Sequence, residues 1–143
     1  MSFKLTIGRV GFAAVDLFPN EAIVHISVKP GVACSEKFLA FWLENQDHTA
    51  GASRAVKGNT LNKDSLSAIP VLLPPTPVQA RVVDLMEHVD HHIASLDAEA
   101  GTVGGASGES IGLRHFRARL LSALLSREIG IPESYDVLLG VAS

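Results

Sequence analysis

The chain is short of the features that mark a disulfide scaffold, a membrane protein or a nucleotide-dependent enzyme. Its one cysteine, Cys34, excludes an intramolecular disulfide. Lying just ahead of an aromatic-rich stretch, Cys34 reads as a partly buried small side chain rather than a nucleophile. No apolar run approaches the roughly 20 residues needed to cross a bilayer, and the first residues lack a charged-then-apolar leader, so the expected compartment is the cytoplasm without membrane contact. Positive charge is scarce as well: 12 Lys/Arg against 15 Asp/Glu give a net charge of −3, which argues against a generic basic nucleic-acid binder. Gly101 to Gly112 is rich in glycine but lacks the Gly-Lys-Ser/Thr ending of a phosphate loop and follows no strand, while Gly8-Arg9-Val10-Gly11 is too short for a dinucleotide fingerprint. Ser, His and Asp residues form no nucleophile elbow or paired motif. No catalytic residue and no cofactor is expected.

What is present is unevenly distributed. Residues 1–76 hold seven Lys/Arg against six Asp/Glu, a net of +1, whereas residues 77–143 hold five against nine, a net of −4. Any contact with nucleic acid therefore has to come from a local patch in the first half. There, Phe3 to Ile7, Phe12 to Val15 and above all Ala22 to Val28 read as strands, with Ala22, Val24, Ile26 and Val28 on one face and turn residues Pro19-Asn20 and Pro30-Gly31 on either side. Ser35 is placed to cap a helix reaching about Gln46, with Phe38, Leu39, Trp42 and Leu43 on its apolar side and Trp42 in the core. Thr49 to Asn62 is small, polar and basic without periodicity, and reads as a loop of the length that is usually functional or mobile. Asn62 offers a cap for a short helix to about Ala68, Pro70 ends it, and Val71 to Leu73 adds a last strand.

The second half is helical. Thr76, Pro77 and Gln79 stand where an N-cap hydroxyl, a first-turn proline and a capping-box glutamine belong, and Pro74-Pro75 keep the entering chain extended. From there Val82, Met86, Val89, Ile93, Leu96 and Ala100 alternate at spacings of four and three, a heptad seam rather than a broad globular face. After a flexible breaker at 101–112, Leu113, Phe116, Leu120 and Leu124 form a second amphipathic helix. The two helices are complementary in charge: Asp84, Glu87, Asp90, Asp97 and Glu99 accompany a single arginine, Arg81, on the first, and Arg114, Arg117, Arg119 and Arg127 populate the second without an acid between Leu113 and Arg127. An antiparallel hairpin and a contact with another chain both satisfy that pattern.

Two constellations are candidates for chemistry. Arg9 and the basic segment with Ser53, Arg54, Lys57, Asn59 and Lys63 have the residue types that neutralise phosphates and read base edges, set against the ordinary reading of a solvated surface loop. His88, His91 and His92 lie near Asp84 and Asp90, and His88 and His92 are one helical turn apart. They fall outside the seam and nothing nearby completes the four ligands of structural zinc, so an exposed polar face is the better reading and no metal is expected.

The passage from Ser65 to Gln79, with Ile69-Pro70 and Leu73-Pro74-Pro75 ahead of Gln79, the long helix to Ala100, the element Leu5-Thr6-Ile7-Gly8-Arg9-Val10-Gly11 upstream, and the tail LRHFRARLLSALLSREIGIPESYD from Leu113 to Asp136 together resemble the specificity subunits of type I restriction-modification systems. The resemblance implies an α+β fold: a small twisted sheet with helices, like a target recognition domain but N-terminally incomplete, followed by long amphipathic coiled-coil helices. It divides the chain into a partial recognition domain at 1–75, a helical region at 76–128 broken by glycines at 101–112, and a tail at 129–143. It also implies a non-catalytic chain whose partners are double-stranded DNA, the modification (methyltransferase) subunits and, through them, the restriction subunits. DNA contacts carried over this way fall on Arg9, Ser53, Arg54, Lys57, Asn59 and Lys63, and partner contacts on Val82, Met86, Val89, Ile93, Leu96, Leu113, Phe116, Leu120 and Leu124. The alternative is a coiled-coil interaction module that dimerises with or competes against full specificity subunits without DNA recognition of its own, and another specificity half or a second copy of the chain is a further candidate partner.

Overall fold

Ser35 starts the first helix. Its backbone is extended (φ −73°, ψ 135°) and its Oγ accepts the Phe38 amide at 3.4 Å, satisfying one of the donors that a helix start leaves without an intrahelical partner. Helix α1 then runs Glu36–Glu44 and closes at Asn45, whose amide donates to the Phe41 carbonyl. Phe38, Trp42 and Leu43 are buried on one side of it. The Phe38 and Trp42 rings lie 6.3 Å apart in a tilted arrangement, and the indole Nε1 donates to the Pro70 carbonyl at 3.0 Å, which ties α1 to a segment 28 residues later. Trp42 is a core residue, as its helical spacing predicts.

The computed structural model describes residues 1–2, 8–13, 15–46, 53–55, 58–60, 66–67, 69–99 and 108–126. The chain divides into two units, Met1–Pro74 and Pro75–Ser143. In the first, the expected small twisted sheet is not formed among the described residues. Ala22 to Val28, the strongest strand candidate, contributes a single antiparallel bridge, Ser2 to Ile23, flanked by the exchange of hydrogen bonds between Met1 and Val24. Phe12 and Val15 are 64% and 72% exposed and belong to no described strand, and Val71 to Leu73 are likewise exposed rather than in a strand. Phe3 to Ile7 and most of the helix expected from Asn62 lie outside the described residues. The physical reason is that alternation reports a half-buried surface, whereas a strand exists only when another backbone pairs with it.

The described ladder that does form lies in the stretch expected to be a loop. Strands β1 (Ser53–Ala55) and β2 (Gly58–Thr60) pair antiparallel in the register Ser53 to Thr60, Arg54 to Asn59 and Ala55 to Gly58. Two residues separate the strands, the shortest common hairpin connection.

The second unit is a helical hairpin. Helix α2, Thr76–Glu99, has 24 residues and a length of about 36 Å at 1.5 Å per residue. It opens at Pro75, whose carbonyl accepts from both Val78 and Gln79 at 2.9 and 3.1 Å. Thr76 is thus the first helical residue and not the cap, and Gln79 is wholly buried. Helix α3, Gly108–Leu125, packs against α2. Arg114 pairs with Asp97 and Arg117 with Asp90, so residue numbers rise along one helix as they fall along the other, and the pair is antiparallel. Val83 and Met86 on α2 and Leu121 and Leu124 on α3 are buried. No described helix is long and apolar enough to cross a membrane.

Candidate functional site

The hairpin β1–β2 gathers three of the residues with DNA-contacting chemistry: Ser53 and Arg54 on one strand and Asn59 on the other, with Arg54 and Asn59 opposite one another in register. Lys57 and Lys63 lie outside the described residues. Arg9 is exposed, and its backbone is fixed by Ser2: the Ser2 amide donates to the Arg9 carbonyl at 2.8 Å, and the Arg9 amide donates to Ser2 Oγ at 3.2 Å. Gly8 makes this turn with φ +88°, a left-handed conformation that a side chain would strain, and donates to the Ser2 carbonyl at 3.0 Å.

The seam residues are distributed differently from their apolar pattern. On α2, Val82, Met86 and Ile93 are buried and Val89 and Leu96 half-buried. On α3, Leu124 is buried and Leu113 and Leu120 half-buried, but Phe116 is 53% exposed. The buried face of α3 runs instead through Ser110, Leu121, Leu124 and Leu125, with the Arg117 side chain only 15% exposed between them. Arg117 Nε and Nη2 donate to Oδ1 and Oδ2 of Asp90, the second at 3.0 Å, a fork-to-fork contact that fixes orientation as well as distance. In the sequence Phe116 reads as part of the apolar side and Arg117 as one of the charges complementary to α2, and neither Arg117 nor Ser110 is marked there as buried. The signal that finds them is the spacing 110, 117, 121, 124, a single helical face on which a polar and a charged residue are embedded.

Other chemistry in the described residues is sparse. Cys34 is half-buried, its thiol donates to the Ser35 carbonyl at 3.5 Å, and burial pushes its pKa up, away from thiolate chemistry. His88, His91 and His92 are exposed on α2, and Asp90 is engaged by Arg117. Among the described residues no three His, Cys, Asp or Glu side chains are grouped to hold a metal ion. The first unit also has an open groove of about 770 Å³ lined by apolar residues including Val10, Phe12, Leu17, Ile23, Ile26 and Leu39.

A scaffold with a basic hairpin, a short aromatic helix and a proline-led long helix is matched over residues 1–100 by the family model of the type I restriction modification DNA specificity domain. The chain belongs to that family. The match spans the whole first unit and α2 and stops one residue beyond Glu99, so α3 lies outside it. Specificity domains are the non-catalytic, DNA-recognising part of type I restriction-modification systems, and this sets the role of the chain at that level. Comparison with curated proteins and with solved structures gives no match.

Proposed function

We propose that this chain acts in a specificity subunit, supplying DNA contacts from its first unit and using its helices to hold a type I modification subunit on the DNA, with restriction subunits joining through that complex. The observation that carries the reading is the specificity-domain match over residues 1–100, which contains both the Ser53–Ala55/Gly58–Thr60 hairpin and the long helix. Arg54, Lys57 and Lys63 would neutralise phosphates, Arg9 would add a backbone contact, and Ser53 and Asn59 would hydrogen-bond to phosphate or base edges. The work done is positioning: fixed contacts determine which adenine a partner methyltransferase can flip out of the duplex. The helices 76–128 act as spacer and partner surface, and the tail follows them.

Arg54→Ala/Lys57→Ala tests the assignment. If both side chains neutralise phosphates, the slope of log affinity against log salt falls by about 1 for each contact removed. Unchanged affinity and slope would remove the hairpin from the DNA-binding surface.

A second reading, an interaction module without DNA affinity of its own, is favoured by the net charge of −3 and by the well-packed helical hairpin. It predicts that Val89→Ser/Ile93→Ser abolishes partner binding and that the chain has no salt-dependent affinity for duplex DNA.

A further inference from the structure

We infer that Ser2 is a positioning residue for DNA contact: it locks the turn that presents Arg9, so that the Arg9 guanidinium meets a phosphate from a fixed backbone. This deepens the proposed function and rests on the Arg9 contact made there.

Ser2 holds the chain on two sides. On one, Met1 and Val24 exchange hydrogen bonds, the Met1 amino group donating to the Val24 carbonyl at 3.0 Å and the Val24 amide to the Met1 carbonyl at 2.9 Å, and Ser2 bridges Ile23 beside them. On the other, three hydrogen bonds join Ser2 to the turn at Gly8 and Arg9. The Ser2 amide donates to the Arg9 carbonyl at 2.8 Å, the Ser2 carbonyl accepts from the Gly8 amide at 3.0 Å, and Ser2 Oγ accepts from the Arg9 amide at 3.2 Å. Both backbone polar groups of Arg9 are thus engaged by one residue, which is itself only 8% exposed.

The Arg9 side chain is exposed, and no acid among the described residues pairs with its guanidinium. A free cation therefore stands on a fixed base. An arginine on a loose loop loses backbone and side-chain freedom together when it binds, whereas an arginine on a locked turn loses only the second. Of the three bonds to Ser2, the one to Oγ depends on the side chain. Alanine at this position keeps the two backbone bonds and leaves the part-buried Arg9 amide without its acceptor.

The test is the affinity of the full-length chain, assembled with a type I modification subunit, for duplex DNA across a salt series. The native chain is compared with Ser2→Ala, Ser2→Thr, Arg9→Ala and Ser2→Ala/Arg9→Ala. Arg9→Ala is expected to lower the slope of log affinity against log salt by about 1, as one phosphate contact is lost. Ser2→Ala is expected to weaken binding about two- to tenfold, the range for ordering one side chain. Ser2→Thr keeps the hydroxyl and is expected to bind as the native chain does, and the double variant as Arg9→Ala does. A hydroxyl that merely supported the fold would weaken binding equally with and without Arg9, and that additive result overturns the positioning role. So does native affinity in Ser2→Ala, and a loss in Arg9→Ala alongside it leaves the specificity reading standing. Unchanged affinity and slope in Arg9→Ala, or a native assembly without salt-dependent affinity, removes the Arg9 contact and the inference with it.

Discussion

Arg117 on α3 and Asp90 on α2, 27 residues apart in sequence, meet across the helical hairpin with both guanidinium donors on both carboxylate oxygens. The arginine is mostly buried while the aspartate keeps 42% of its side-chain surface, so the pair lies between the exposed and buried limits. Arg117→Ala is expected to cost about 1–2 kcal/mol in urea unfolding. A double-mutant cycle with Asp90→Ala should return a coupling of about 1 kcal/mol. Arg114→Ala, whose side chain is 51% exposed, is expected to cost under about 1 kcal/mol. Equal effects at the two arginines would mean that Arg117 is not part of the packed face.

Phe116 and Leu121 separate the apolar pattern of α3 from its packing. Leu121 is 2% exposed and Phe116 53%. Leu121→Ala is expected to destabilise the hairpin by about 2–5 kcal/mol through the cavity it leaves. Phe116→Ser is expected to change stability by less than about 0.5 kcal/mol, as surface substitutions usually do. The reverse order in denaturant unfolding would place the seam on the other face.

Trp42 is the one tryptophan of the chain, and it is 6% exposed with its indole N–H engaged by Pro70. Its fluorescence is expected to be blue-shifted and poorly quenched by acrylamide in the folded chain. Trp42→Phe removes the donor while keeping most of the ring, and should cost about 1–3 kcal/mol because the carbonyl loses its partner. Strong quenching in the native protein would contradict this core.

Cys34 gives a pH-dependent readout. Burial disfavours the thiolate, so the alkylation rate is expected to rise with a midpoint above that of the same thiol in denaturant. The folded thiol holds its proton more tightly than the unfolded one, so its contribution to stability is intact below the ordinary thiol pKa and is lost as pH climbs through the raised folded value. A midpoint below that of the unfolded chain would reveal an activating cation instead.

The helices were legible in the sequence because the signals that start and line them are local. Ser35 caps α1, Phe38 and Trp42 share its buried side, and the four-three spacing from Val82 to Ile93 marks the packed face of α2. The opposite charges of the two long helices were legible as complementarity, and the pairs Arg114 to Asp97 and Arg117 to Asp90 realise it within one chain. The sheet was misjudged because Ala22 to Val28 shows alternation, yet nothing in its own residues specifies a pairing partner. The hairpin at Ser53 to Thr60 was missed for the converse reason: its strands are three residues long, too short for any period to register. On α3, the apolar spacing marks Leu113, Phe116, Leu120 and Leu124, while the buried residues are Ser110, Leu121, Leu124 and Leu125 and Phe116 is exposed. For the DNA-contacting residues, composition named the types, and the structure adds the opposition of Arg54 and Asn59.

The most direct measurement is the affinity of the purified chain for duplex DNA across a salt series, alone and after mixing with a type I modification subunit, with complex mass followed by light scattering. The account predicts assembly with the modification subunit and a gain in salt-sensitive DNA affinity on assembly, because phosphate contacts release counterions. Assembly without any gain in DNA affinity would contradict it and leave the chain as an interaction module.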